Sequence, residues 1–363
     1  MSYNDNKQTV MDRNVKRRQV LLGGLAAAGG VAATATGIGA PMVARADQTF
    51  SWRMQTHYPA GSPAGHAFER FIKNVEVMSG GRLKIQGFTS SSVVNIQETL
   101  SSARDGIIDA DMSWAGYAAG IDPAFQWFGD VNGGYTQPEH VQYWLDYGGG
   151  RELADEIYHA HDMHLVGFWG TLPESLVSTV PVPDPASLKG IKLRCPPGLQ
   201  SDVMAAWDME PVVMDFGEVF TALDTGIVTA ADATELRVNQ SIGLYEVAKH
   251  ATYPGWHAMP FVQLAVNRRR WEELPADLKR IVELALRRAA HERVVEDRTL
   301  DEIAVADLAA SEGVTFYVWS QEDIIKLRDL ARPAWEAWAD RSSASRKVYD
   351  SHMAFMKKLG LIA

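Results

Sequence analysis

Two short apolar runs in this chain each end in a charge, and those two charges are the best placed to do chemistry. Gly190-Ile191-Lys192-Leu193 leads into Arg194 and then Cys195-Pro196-Pro197-Gly198, while Val228 to Thr234 leads into Glu235. Open α/β sheets gather their ligand groups at strand C-termini and in the loops that follow. A planar guanidinium at such a position can grip a carboxylate through two parallel hydrogen bonds. Arg194 is thus a candidate anion clamp, with a salt-bridged surface residue as the competing role. Catalytic motifs are missing by contrast: there is no HExxH helix, no GxSxG turn and no CxxC. The single cysteine, Cys195, has no acidic or histidine partner near it in sequence and reads as a small strand hydrophobe.

The elements that must position these residues follow an α/β rhythm. Thr49–Thr56 alternates as a strand, and Ala64–Met78 has helical spacing through Phe68, Phe71, Ile72 and Val75, stopped at Gly80-Gly81. Leu83–Phe88 is a second strand, Asn95–Arg104 a helix and Ile107–Met112 a third strand. This βαβαβ order predicts a parallel, doubly wound sheet, and the loops beyond its strands nominate His57, Tyr58, Trp114 and Tyr117. His164–Trp169 is a further strand, and the cluster Pro181-Val182-Pro183-Asp184-Pro185 marks a shift in composition. The expected organisation is an export segment over 1–46, the first part of lobe I over 47–174, and lobe II over 175–260. Residues 261–363 supply a strand returning to lobe I and helices bracing both lobes. The helical pattern from Pro275 toward Ala310 is long enough to brace two lobes or to meet a partner, a second copy included.

Composition limits the partners. The 363 residues are 46% hydrophobic and carry a formal charge of −10, which argues against nucleic acid or an anionic membrane surface. Lys16-Arg17-Arg18, the Gly/Ala-rich run Gly23–Ala40 and Ala44-Arg45-Ala46 form a basic, an apolar and a small-residue cleavage region. That is an export signal, of twin-arginine type given the Arg17-Arg18 pair and the weakly apolar core. A periplasmic protein is the expected product, an uncleaved anchor the alternative.

At this point the chain resembles the solute-binding proteins of TRAP transporters, the DctP family. The resemblance rests on Met78-Ser79-Gly80-Gly81-Arg82-Leu83, on Ser187-Leu188-Lys189-Gly190-Ile191-Lys192-Leu193-Arg194, and on Leu223-x-x-Gly226 with Ala231-Asp232-Ala233-Thr234-Glu235. Tyr253-Pro254-Gly255-Trp256-His257 is similar to the branch that binds 2-oxo and 2-hydroxy acids with the help of a cation. The resemblance implies a two-lobed periplasmic-binding-protein-like α/β fold with a long lobe-bracing C-terminal helix. It also implies a receptor, not an enzyme, that closes on a small carboxylate and delivers it to membrane permease subunits.

Arg194 matches the family arginine that clamps the carboxylate, and Glu235 the glutamate that ligates the cation, with the Leu236 carbonyl as a second oxygen donor. One bound cation, Ca²⁺ or Na⁺, would relieve the repulsion between Glu235 and an anionic ligand; no organic cofactor is implied. Two departures stand out. Leu236 replaces the branch's tryptophan, and Glu174 and Ser175 stand near its glutamine, so Glu174 becomes a further candidate ligand for the cation. Arg237, read as two strand positions beyond Glu235, could instead neutralise it without any metal. Tyr58, Trp114, Tyr117 and Trp256 are the candidate walls of the pocket. If several of the 11 tryptophans line it, an aromatic or dicarboxylic acid bound without metal becomes the alternative ligand. An exported enzyme is the alternative class.

Overall fold

A computed structural model describes residues 48–363 of the chain, so the export-signal reading of residues 1–46 lies outside the described residues. Its strands are β1 (Phe50–Thr56), β2 (Leu83–Phe88), β3 (Ala110–Met112), β4 (Met163–Trp169), β5 (Val177–Ser178), β6 (Lys192–Cys195), β7 (Glu210–Val213), β8 (Ala230–Ala231), β9 (His250–Thr252), β10 (Val262–Asn267) and β11 (Thr315–Tyr317). They form two sheets, ordered β2-β1-β3-β10-β4 and β11-β9-β5-β8-β6-β7.

In the first sheet β1 runs parallel to β2 and β3, as the βαβαβ order predicts. The all-parallel expectation fails at β10, which is antiparallel to both β3 and β4. The reason is topological: β10 arrives from the second sheet, not through a helical crossover above the first, so right-handed crossover geometry does not fix its direction. All six of its residues are buried, as befits a strand covered on both faces. In the second sheet β6 pairs in parallel with β7 and β8, while β5 is antiparallel to β8 and β9. β11, which the sequence pattern does not reveal, adds in parallel to β9 at the edge of this sheet.

Helix ends follow local chemistry. In helix Pro63–Met78 the Ser62 side chain accepts from the Gly65 amide, and Pro63 takes the first turn, where its missing N–H costs nothing. Its Phe68, Phe71 and Val75 face the first sheet's core, with Trp52, Met54 and Ile85.

Helix Ala276–Ser311 runs for 36 residues, about 54 Å at 1.5 Å per residue. It joins two cores. Leu278, Val282, Ala285, Leu286 and Ala289 pack with the first sheet, whereas Ala304 and Leu308 pack with Val177, Val228 and Ala251 of the second. Between these apolar stretches its buried positions turn polar, at Arg293, Asp297 and Asp301. That polar stretch lies beside the site.

Candidate functional site

Arg194 is the third residue of β6, one place before the strand ends, and is only 3% exposed. Its guanidinium is fixed by the backbone: Nε donates to the Met214 carbonyl at 3.2 Å and Nη1 to the Asp232 carbonyl at 2.6 Å. Those carbonyls follow the neighbouring strands β7 and β8, so the sheet itself aims the side chain. Nη2 has no protein partner among the described residues. A buried guanidinium held by two neutral carbonyls has no carboxylate paired with it among the described residues.

The guanidinium faces a small cavity of about 40 Å³. Tyr58, Trp114, Tyr117 and Phe216 give it aromatic walls, and His57, Glu174, Gln200 and Asp232 give it polar ones. Trp114 and Tyr117 meet edge to face with centroids 5.1 Å apart, and Phe216 lies 5.9 Å from the Arg194 guanidinium carbon. A wider cleft of about 260 Å³ opens beside the long helix, at Phe168, Trp169 and Val294. Its one arginine, Arg287, is already paired with Asp146. The smaller cavity is therefore where an unspent charge meets a dry, shaped wall.

Beneath Arg194 three acidic side chains share a buried space. Asp232 accepts from Gln200 on Oδ2, and its Oδ1 lies 2.5 Å from His257 Nε2. Burial opposes the ionised form of Asp232, but the adjacent His257, with Glu174 and Arg194 in support, brings it below the usual carboxylate range. Burial first, then the charge of Asp232, push the Glu174 carboxyl well above its ordinary range, and Asp130 is raised in the same way. Close like charges thus favour the ionised form of Asp232 and the protonated forms of Glu174 and Asp130. Burial, with the charge of Arg293 second, holds His57 down at about 3, so it stands neutral in the wall.

Of the residues nominated from sequence, Arg194, Tyr58, Trp114, Tyr117 and Glu174 line this one cavity, whereas Glu235, Leu236 and Trp256 do not. β8 ends at Ala231, and Glu235 is the N-cap residue of helix Leu236–Ser241. The early end of the strand makes Asp232 the first residue past it. Glu235 turns instead toward the long helix, where Arg293 pairs with one carboxylate oxygen and the Thr234 hydroxyl donates to the other. The expectation that Arg237 neutralises Glu235 is corrected too. Arg237 is helical, not extended, and lies 3.7 Å from Asp297. Leu236 is buried in the second sheet's core. Trp256 stacks on Trp319 at 4.6 Å and tilts against Trp207, behind the cavity.

Sequence reading missed Asp232 as a site residue, although it sits inside the quoted Ala231–Glu235 motif. It gives His257, Gln200, Phe216 and Arg293 no place in the site. A buried arginine amid the apolar periodicity of the long helix was the available signal for Arg293.

The cation implied by the resemblance can be tested against these donors. Both oxygens of Glu235 are committed, to Arg293 and Thr234, and do not fit a metal ion. Glu174, Asp232 and His257 each offer a donor atom, all within 4.8 Å of one another. Those three fit a cation, provided it displaces His257 from Asp232 Oδ1, since Gln200 already holds Oδ2.

Comparison with known proteins identifies the family and the fold. The sequence pattern of the family described as bacterial extracellular solute-binding protein, family 7 (DctP), matches residues 54–341. A monocarboxylate 2-oxoacid-binding periplasmic protein of Nostoc sp. is 26% identical over 318 residues, covering 85% of this chain and 84% of its own length. The crystal structure of a TRAP periplasmic solute-binding protein from Rhodobacter sphaeroides, in an apo open form, is 32% identical. It superimposes with a TM-score of 0.73 over 86% of this chain and 100% of that one. One from Pseudoalteromonas atlantica, with bound sodium and pyruvate, shares the fold at 23% identity and a TM-score of 0.74, covering 86% of this chain and 95% of its own.

Proposed function

Because the chain belongs to family 7 of the bacterial extracellular solute-binding proteins, the DctP family, we propose that it captures a small 2-oxo or 2-hydroxy acid through Arg194. The observation that carries this reading is the guanidinium fixed by the Met214 and Asp232 carbonyls, with Nη2 at a buried cavity. The solute carboxylate takes the free edge of Arg194. The aromatic walls exclude water, which strengthens that charge-assisted contact. The small cavity favours a short acid over an extended or aromatic one. A Nostoc relative is named for 2-oxoacid binding, and a Pseudoalteromonas relative holds sodium and pyruvate; both support the ligand class.

A cation of that kind would be held in this chain by Glu174, Asp232 and His257. Its charge would offset the carboxylates that otherwise oppose an anion. Gln200, bound to Asp232, orients that carboxylate, and neutral His57 adds a polar group without a charge. The protein is exported to the periplasm on the segment 1–46. It returns its solute unchanged and hands it to the membrane permease subunits of a TRAP transporter.

Thermal unfolding tests the reading, with 2-oxo, 2-hydroxy, aromatic and dicarboxylic acids compared in Ca²⁺ and in EDTA. A hundredfold excess over Kd adds about 2.7 kcal/mol of stability. A short 2-oxo or 2-hydroxy acid should raise the transition in the native chain and not in Arg194→Gln. If no carboxylate raises it, Arg194 is not a carboxylate clamp.

A further inference from the structure

Away from the solute cavity, three side chains on the outer side of the first sheet converge without a role in capture. Asp155 and His159 stand four residues apart on helix Gly150–Ala160, hence on one face of it. His164 follows on β4 after a turn in which Asp162 takes a positive φ of 55°. One donor atom from each lies within 4.8 Å of the other two.

We propose that Asp155, His159 and His164 form a site for a divalent d-block cation, with Zn²⁺ as the probe, that ties the helix to β4. The two imidazoles are already spaced for chelation. His159 Nε2 and His164 Nδ1 share a hydrogen bond of 3.1 Å, which an entering ion would replace. Two nitrogens bound at about 2.0–2.1 Å to one tetrahedral ion lie about 3.3–3.4 Å apart, so they need open by only a few tenths of an ångström.

The third ligand has a lone pair to spare. Oδ1 of Asp155 is buried and meets no donor, an unfavourable state that a cation would relieve. The His164 ring is held in place by stacking on Trp271, with centroids 4.7 Å apart and an interplanar angle of 16°. Asp155 and His164 also line a cleft of about 230 Å³, which provides a path of entry.

The donor set selects the kind of ion. Two imidazole nitrogens beside one carboxylate oxygen suit a d-block ion better than Na⁺ or Ca²⁺, which take oxygen ligands.

The test uses the full chain without a histidine tag, stripped with EDTA, and reads Zn²⁺ stoichiometry by elemental analysis and Co²⁺ coordination by visible absorption. The expected result is one ion per chain with a Co²⁺ ligand-field band. Both should be weakened at least tenfold in His159→Gln and in Asp155→Asn, both of which leave His164 stacked on Trp271. Glu174→Gln, which alters the solute cavity, should leave this binding unchanged. Absence of a saturable ion, or equal binding by His159→Gln and the native chain, overturns the proposal. Stabilisation by a 2-oxo acid is measured on His159→Gln and Asp155→Asn and should not move, so failure of this site and failure of solute capture are read separately.

Discussion

Arg293 is the counter-charge of Glu235. The arginine comes from the middle of the long helix and the glutamate from the start of a helix in the second lobe, and both are 1% exposed. Arg293 also donates to the Tyr58 hydroxyl at 3.2 Å and to Asp297 at 3.1 Å, and it lies 4.8 Å from the Tyr58 ring centroid. Tyr58 lines the solute cavity, so a single guanidinium joins the bracing helix, the first lobe's wall and the second lobe's glutamate. The polar stretch in an otherwise apolar helix face is explained by this junction.

Breaking the junction from one side leaves a buried, unpaired carboxylate. Arg293→Met should therefore cost about 3–5 kcal/mol of stability. The double variant Arg293→Met/Glu235→Gln should recover part of that loss, because the stranded charge is gone. Urea unfolding of the two variants and the native chain checks this. A double variant no more stable than Arg293→Met would mean that the pair does not carry the effect.

Burial and the neighbouring Asp232 favour the protonated form of Glu174, so an isosteric amide should be tolerated there. Glu174→Gln is expected to change unfolding stability at pH 7 by no more than about 1 kcal/mol without solute. It should also abolish any difference between Ca²⁺ and EDTA in the stabilisation given by a 2-oxo acid. A Ca²⁺ response that survives the substitution would place the cation away from Glu174.

How much of this was legible in the sequence depends on the kind of signal. Long periodic elements read well: Pro63–Met78, Met163–Trp169 and Ala276–Ser311 have enough residues for the helix or strand period to stand out. Two-residue strands do not. β8 covers only Ala230–Ala231, and reading it through to Thr234 put Glu235 at a strand end and Arg237 on its face. The same error hid Asp232. Arg194 was accessible because the strand before it is apolar and the loop after it is rich in proline and glycine. Trp256 failed as a pocket wall because nothing local distinguishes an aromatic that stacks on Trp319 from one that meets a ligand. Neither Arg293 nor β11 could be placed without long-range pairing, which a single sequence does not encode locally.

Acid should weaken the fold through its buried histidines. His352 stacks on Trp144 with centroids 3.7 Å apart, its Nε2 donates to the Trp127 carbonyl at 3.0 Å, and its Nδ1 accepts from the Tyr135 hydroxyl at 2.9 Å. Burial holds it down at about 3. Below the ordinary value of 6.5 the unfolded chain takes up a proton that the folded chain refuses. The stability it contributes is thus present above pH 6.5 and lost as pH falls toward 3, by at most about 1.4 kcal/mol per pH unit. His352→Gln should flatten the fall in urea midpoint between pH 7 and pH 5 relative to the native chain. An equal fall in both proteins would remove His352 from the account.

Gly255 fixes how closely the loop after β9 approaches the cavity. A Cβ at this position would overlap the carbonyl oxygen of Glu174 and come within 2.5 Å of that of Pro173. Backbone cannot yield as a flexible side chain can, so the contact would push Pro173-Glu174 outward. The Glu174 amide hydrogen-bonds the Ala258 carbonyl at 2.8 Å, which ties this segment to the chain just beyond His257. Moving Glu174 therefore strains the loop that carries His257, the partner of Asp232. Gly255→Ala is expected to cost about 1–3 kcal/mol of stability and to weaken solute binding beyond that loss, because a cavity wall and the Asp232–His257 contact shift together. Calorimetric titration with a 2-oxo acid, at a temperature where the variant is still folded, separates the two effects. Native affinity in a destabilised variant would show that the wall keeps its place and that the backbone absorbs the methyl elsewhere.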